Sequence, residues 1–213
     1  MLIDGIIDLV SFPEKGLHHL TYLQHLSIEN CPKLVCLPEE GLKSLTSLRF
    51  FYIRGCDKLK SLLKGFRHLT ALEDLEIKEC RELDLSKDVE ENVMELQCLK
   101  SLRTLKLGDM PKLSSLPDGL QHVTTLKYLL ISSCSNLKIL PEWICNLNLL
   151  QRFEIFDCPQ LASFPQALCS LKALQYLEIS SCSQLLDTCQ NKTSKNWSMI
   201  AHIPEIFIDG KKM

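Results

Sequence analysis

One apolar motif recurs every 24 or 25 residues along this chain, and it restricts the fold more than any other feature. Its form is L-x-x-L-x-[IL]-x-x-C-x-x-L-x-x-[LF]-P. It reads at Leu23, Leu26, Ile28, Cys31, Leu34, Leu37 and Pro38. It reads again at Leu126, Leu129, Ile131, Cys134, Leu137, Leu140 and Pro141, and at Leu150, Phe153, Ile155, Cys158, Leu161, Phe164 and Pro165. A fixed period of that length marks a solenoid, in which no repeat buries its own apolar face and the stacked neighbours bury it instead. The segment L-x-x-L-x-[IL]-x alternates apolar and other residues, which predicts a short strand with one buried face. Strands of successive coils pair in parallel. The Pro lacks the N–H that a ladder needs, so it ends the turn and starts a loose helical or 3-10 return path. The fold class that follows is an α/β solenoid with a parallel concave sheet and an irregular, short-helical convex side.

The ladder position of the motif falls at residues 31, 56, 80, 110, 134, 158 and 182, with Cys at every one except Met110. This places repeats over residues 1–185, as a partial first repeat (1–20) and seven strand-bearing repeats (21–185). Leu9 to Leu20 (LVSFPEKGLHHL) matches Leu34 to Leu45 (LVCLPEEGLKSL), so the chain is expected to begin mid-coil, as a fragment or a truncated descendant of a longer protein. The longest interval between ladder positions holds an acidic insertion, residues 84–95 (DLSKDVEENVME), read as a solvated surface loop. Residues 186–213 break the pattern. Trp197, Ile200, Ile203, Ile206 and Ile208 are placed to shield the open end of the core as a C-terminal cap, with Ile206 to Ile208 able to form a last strand.

Composition narrows the function. A net charge of −2 lacks the basic excess of a nucleic-acid or membrane binder. No apolar run is long enough to cross a bilayer, and the acidic N-terminus MLIDGIIDLVSFPEKG does not read as a secretory signal. The chain has 11 cysteines, an odd number. A ladder position that also accepts Met is a buried apolar slot with a weak thiol donor, and stacked side chains with parallel Cβ vectors suit a disulfide poorly. A reducing compartment, cytoplasm or nucleus, is expected. The sequence contains no C-x-x-C, and His19, His25, Cys31 and Cys36 fit no zinc spacing, so neither metal nor cofactor is expected. Cys189 lies in a polar stretch but has no identifiable base within reach, so the chain is not expected to be an enzyme.

Together, the repeats, the cysteine ladder and the ending Trp197-x-x-Ile200-x-His202-Ile203-Pro204-x-Ile206-x-Ile208-Asp209-Gly210 resemble the leucine-rich-repeat region of plant intracellular nucleotide-binding disease-resistance receptors of the coiled-coil type. The resemblance covers essentially the whole chain and implies a leucine-rich-repeat horseshoe. It also implies a protein-interaction module of innate immunity whose partners are a pathogen effector or a nucleotide-binding module, in cis or in trans. The Gly-rich loop ending G-K-[ST] that such a module carries does not occur in this sequence. Two alternatives are a substrate-reading arm of a ubiquitin ligase and a fragment of an extracellular repeat receptor. The sequons at Asn191 and Asn196 would support the second.

In such a strand the residues flanking the two buried positions face the concave side. They form three columns: His25, Phe50, Asp74, Thr104, Tyr128, Arg152, Tyr176; then Ser27, Tyr52, Glu76, Lys106, Leu130, Glu154, Glu178; then Glu29, Arg54, Lys78, Gly108, Ser132, Phe156, Ser180. Aromatic residues and Arg are common binding anchors. Two clusters are therefore candidate protein-binding residues: Phe50, Tyr52 and Arg54; and Tyr128, Leu130, Arg152, Phe156 and Tyr176. The mixture of charges suits protein recognition rather than phosphate tracking.

Overall fold

A computed structural model describes residues 1–13, 16–62, 65–86, 96–189 and 194–213. Its strands form a single open sheet in chain order. They are β1 (Leu2–Asp4), β2 (His25–Glu29), β3 (Phe50–Arg54), β4 (Asp74–Lys78), β5 (Thr104–Gly108), β6 (Tyr128–Ser132), β7 (Arg152–Phe156), β8 (Tyr176–Ser180), β9 (Glu205–Ile208) and β10 (Lys211–Lys212). Each pairs in parallel with the next from β1 to β9, and β10 returns antiparallel on β9. The register aligns equivalent repeat positions: Leu129 lies beside Phe153 and Ile131 beside Ile155. A slip of one residue would turn every inward Leu and Ile to solvent, so the hydrophobic pattern fixes this register.

The first coil departs from the reading that the chain enters mid-coil. Leu2–Asp4 is a strand on β2, with Ile3 opposite Ile28. The motif's Leu-x-x-Leu approach to the strand has no counterpart here, but the inward Ile survives at the right distance. Most of the acidic insertion, residues 87–95, lies outside the described residues. At its start Asp84 Oδ1 accepts the backbone N–H of Ser86 at 3.0 Å, and Leu85 is buried.

Each coil turns by the same local chemistry. The residue after the strand takes a left-handed conformation: Gly5, Asn30, Gly55, Glu79, Asp109, Ser133, Asp157 and Ser181 all have positive φ. This kink lets the N–H of Asn30 reach the carbonyl of Arg54 at 2.9 Å in the next coil, and the N–H of Asp109 that of Ser132 at 2.9 Å, which extends the parallel ladder past the strand. The ladder thiols point inward and donate to the carbonyl two residues back, as Cys31 does to Glu29 (3.3 Å) and Cys80 to Lys78 (3.3 Å). Burial pushes the Cys56 thiol up to about 11 and the Cys80 thiol up to about 12, so these sulfurs are apolar filling rather than nucleophiles. The prolines at the equivalent repeat position then open the return path. Pro38 precedes α1 (Glu39–Lys43), and Pro117, Pro141 and Pro165 precede the 3-10 segments η2 (Asp118–His122), η3 (Glu142–Asn146) and η4 (Gln166–Ser170). η1 (Phe66–His68) instead starts from a glycine, Gly65. Proline at this site fixes φ near −65° and needs no donor, while its carbonyl accepts the first helical N–H.

At the far end the pattern gives way to α2 (Ser183–Cys189) and α3 (Lys195–Ile200). Ser194 caps α3 by accepting the Trp197 N–H at 3.0 Å. Met199, Ile200, Ile203, Ile206 and Ile208 are buried against the last coil. Asn196 is buried too: its Oδ1 accepts the Phe164 N–H at 3.1 Å and its Nδ2 faces the Ala162 carbonyl. That placement removes Asn196 as a glycan acceptor in the folded chain; the Asn191 sequon lies outside the described residues. At the opposite end Leu2, Ile6, Ile7 and Val10 are exposed.

Candidate functional site

The three concave columns assemble in register, because residues of alternate parity on each strand face away from the core. β9 and its hairpin lengthen them. Glu205 follows Tyr176, and Phe207 follows Glu178. The turn Asp209-Gly210 has positive φ at both residues, the two-residue turn whose twist suits a hairpin, and it folds Lys212 back beside Phe207.

In the first cluster, Phe50, Tyr52 and Arg54 do come together. The His25 ring sits 5.6 Å from Phe50 and 5.1 Å from Tyr52, and the Arg54 guanidinium lies 5.6 Å from the Tyr52 ring centre. Arg54 also pairs with Glu76 at 2.9 Å. Glu76 is 3% exposed, and Lys78 (3.1 Å) and Lys106 (3.6 Å) converge on the same carboxylate. Burial alone would push this acid up; the Lys78 hydrogen bond and the charges of Lys78, Arg54 and Lys106 outweigh it and hold the carboxyl below its usual range. Its neighbour Asp74 has fewer cations to offset its burial and is shifted upward.

These shifts set a pH dependence. An acid with a lowered folded pKa stabilises the native state above its unfolded pKa, about 4.3 for Glu, and that stabilisation disappears as pH falls through the folded value. Glu76→Gln is expected to lower stability at pH 7 by about 1–2 kcal/mol, the worth of hydrogen bonds to a charged group at a partly solvated site. The gap from wild type should close below pH 4. Thermal melts of both proteins from pH 7 to pH 3 check this; a constant gap would mean that the charge of Glu76 is irrelevant.

The second cluster is less apolar than its composition implies. Arg152 is the hub: its guanidinium lies 4.0 Å from the Tyr176 ring centre and 5.7 Å from that of Tyr128, and it pairs with Glu154. Glu154 is 6% exposed and also accepts the Tyr128 hydroxyl at 2.7 Å. Burial, then this hydrogen bond, shift the Tyr128 phenol strongly upward. Tyr176 donates to Glu178 at 2.6 Å, which pushes its phenol up to about 12, and its ring stacks on Phe207 at 5.2 Å. Leu130 and Phe156 stand beside this array, half-buried. Lys106 joins the two clusters, since its Nζ reaches both Glu76 and the Tyr128 ring, 6.0 Å from the ring centre. Lys212 closes the far end, 5.8 Å from the Phe207 ring centre. A continuous row of rings and cations therefore runs Lys106, Tyr128, Arg152, Tyr176, Phe207, Lys212 across β5 to β10.

Five residues of this array, Lys106, Glu154, Glu178, Phe207 and Lys212, were not among the candidates from sequence. The two glutamates stood in the columns, but their hydroxyl partners are set by rotamers that spacing does not show. The Asp209-Gly210 pair was the signal for Lys212. Among the described residues no group of three or more His, Cys, Asp or Glu could hold a metal ion, and no helix is long and apolar enough to cross a membrane.

A parallel sheet of short, equivalent strands with a cysteine ladder behind it and a presented polar–aromatic face defines a leucine-rich-repeat solenoid, a class of protein-interaction modules. The family model "Plant disease resistance protein RPS2-like, leucine-rich repeats" matches residues 41–183, and the chain belongs to that family. Among curated proteins none matches. Solved structures share the fold at low identity. The leucine-rich repeat domain of the type III effector XopL has a TM-score of 0.71 at 22% identity, covering 97% of this chain and 75% of its own. Internalin C2 from Listeria monocytogenes gives 0.59 at 18%, covering 94% and 76%. The plant peptide hormone receptor RGFR1, solved in complex with RGF2, gives 0.51 at 17%, covering 98% of this chain and 37% of its own.

Proposed function

We propose that this chain is a sensing and restraining module of plant innate immunity, acting in the cytoplasm or nucleus. Its concave face binds a protein: a pathogen effector, or a nucleotide-binding signalling module in cis or in trans. The observation that carries the reading is the array around Arg152, on a chain of the disease-resistance repeat family. Tyr128, Arg152 and Tyr176 are residue types that dominate protein interfaces, and here their ring and ion contacts hold them before any partner arrives. Regulation follows from differential binding. An effector that occupies this face competes with the restrained module and shifts it toward its active state by as much as the two affinities differ.

Tyr128→Ala combined with Phe156→Ala is expected to weaken partner binding at least 10-fold while the circular dichroism spectrum stays unchanged. The measurement is co-purification of the nucleotide-binding module and candidate effectors with wild type and the double variant, followed by titration. Equal affinity of the two proteins would remove the concave face from the mechanism.

A further inference from the structure

Two carboxylates stand on the concave face of β4, and their surroundings differ sharply. Glu76 collects Arg54, Lys78 and Lys106, all within 3.6 Å. Asp74, two residues earlier, draws none of them into an ion pair, and its Oδ1 is buried with no hydrogen-bond partner. A buried acceptor left open costs free energy, so its persistence calls for a reason. The neighbours in register supply one. Phe50 lies beside Asp74 on β3, and His25 lies beside Phe50 on β2. The His25 ring closes on Phe50 at 5.6 Å and on Tyr52 at 5.1 Å. Burial first, then the charges of Asp74 and Glu76, shift the Tyr52 phenol upward, which puts the Asp74 carboxylate within electrostatic reach of that ring. Thr104, half-buried on β5, flanks the acid on the other side.

We propose that Asp74, with the rings of His25, Phe50 and Tyr52, is the seat for a basic side chain, lysine or arginine, of a protein partner. The seat presupposes that the concave face binds a protein, and it fixes the charge that the partner carries opposite β3 and β4. Ring faces attract cations, and a carboxylate beside them pairs with the same group. The cations of the chain itself are already engaged. Arg54, Lys78 and Lys106 are held by Glu76, and Arg49 is held by Glu73 at 2.9 Å. A metal ion does not fit: among the described residues no group of three or more His, Cys, Asp or Glu could hold one. An anionic group would meet the charge of Asp74. A lysine or arginine suits both halves of the seat, its head on the carboxylate and its methylenes along Phe50.

The same geometry separates a binding role from a structural one. In the free chain, burial holds the Asp74 carboxyl above its usual range. An acid shifted in that direction opposes folding once it is ionised, so at pH 7 its charge is a cost to the free chain. A cation that docks beside it removes that cost. Glu76 behaves in the opposite way, because its own cations are already in place.

The test uses the full chain, isotopically labelled and titrated by NMR with acetyl-Gly-Arg-Gly-amide, acetyl-Gly-Lys-Gly-amide and the neutral acetyl-Gly-citrulline-Gly-amide. Saturable shifts are expected at Phe50, Tyr52, Asp74 and Thr104 with the two basic peptides and not with the citrulline peptide. Asp74→Asn should weaken the basic peptides about 10-fold, the loss of one hydrogen bond to a charged group. Its thermal midpoint at pH 7 should stay at or above that of wild type. A lower midpoint would make Asp74 a structural residue and overturn the proposal. Equal binding of the citrulline peptide, equal binding by Asp74→Asn, shifts centred on Arg152 or no shifts at all would overturn it too. The seat and the Arg152 array fail separately. Partner binding that ignores Tyr128→Ala with Phe156→Ala removes the array, while peptide shifts that survive in that double variant keep the seat at Asp74.

Discussion

Phe153→Ala is expected to destabilise the chain by about 3–5 kcal/mol, the range for an aromatic side chain removed from a packed core. Phe153 is fully buried in β7, flanked in register by Leu129 of β6 and Leu177 of β8. Neither neighbour can move in to fill the gap, because each is already held by its own coil's hydrogen bonds. The loss is a large part of the roughly 5–15 kcal/mol that holds a typical domain together. A solenoid localises such damage, since stability is a sum of repeats and nearest-neighbour interfaces. Guanidinium titration followed by circular dichroism should show a lower midpoint and a broader transition, as the coils on either side of β7 lose their coupling. The informative control is Phe156→Ala, three residues along the same strand but on the concave face, which should cost well under 1 kcal/mol. Equal costs at 153 and 156 would mean that the strand register is wrong.

That contrast shows how much of the fold was legible in the sequence. Strand period two and coil period 24 by themselves sort Phe153 inward and Phe156 outward. The three concave columns followed from the same arithmetic. What escaped was set by single side chains or single turns. β1 has only Ile3 of the motif, although subtracting one coil length from Ile28 lands on it. β10 is two residues long, too short for any propensity, and exists because Asp209 and Gly210 both tolerate positive φ. The left-handed residue after each strand is natural for Asn30, Asp109 and Asp157 but not for Glu79, where the ladder to Gly108 overrides local preference. The candidate site was half legible. Tyr128, Arg152 and Tyr176 stood among the candidates from sequence, and the structure stacks their side chains together. Glu154, which holds two of them, reads in sequence as one more surface acid.

Arg152→Ala is expected to cost about 2–3 kcal/mol of stability, more than an exposed arginine normally would. The reason lies in what it leaves behind. Glu154 stays buried with only the Tyr128 hydroxyl for company, and breaking a buried pair from one side exposes the surviving charge to the full desolvation penalty. The Arg152 side chain is 48% exposed, which is why the cost falls below that of a fully buried pair. Glu154→Ala should cost less, about 1–2 kcal/mol, because the freed guanidinium can turn to water. If the array is a unit, the double variant loses less than the sum of the two, with a coupling of about 1–2 kcal/mol in a double-mutant cycle. Denaturant midpoints of the four proteins measure this directly. Strict additivity would mean that Arg152 and Glu154 do not act together in solution, and Arg152 would then be an ordinary mobile surface side chain. Coupling of the expected size would mean that the guanidinium is held between Tyr128 and Tyr176 before binding. A partner that docks on it then loses little further side-chain entropy, and a small concave face can bind selectively without being strongly apolar.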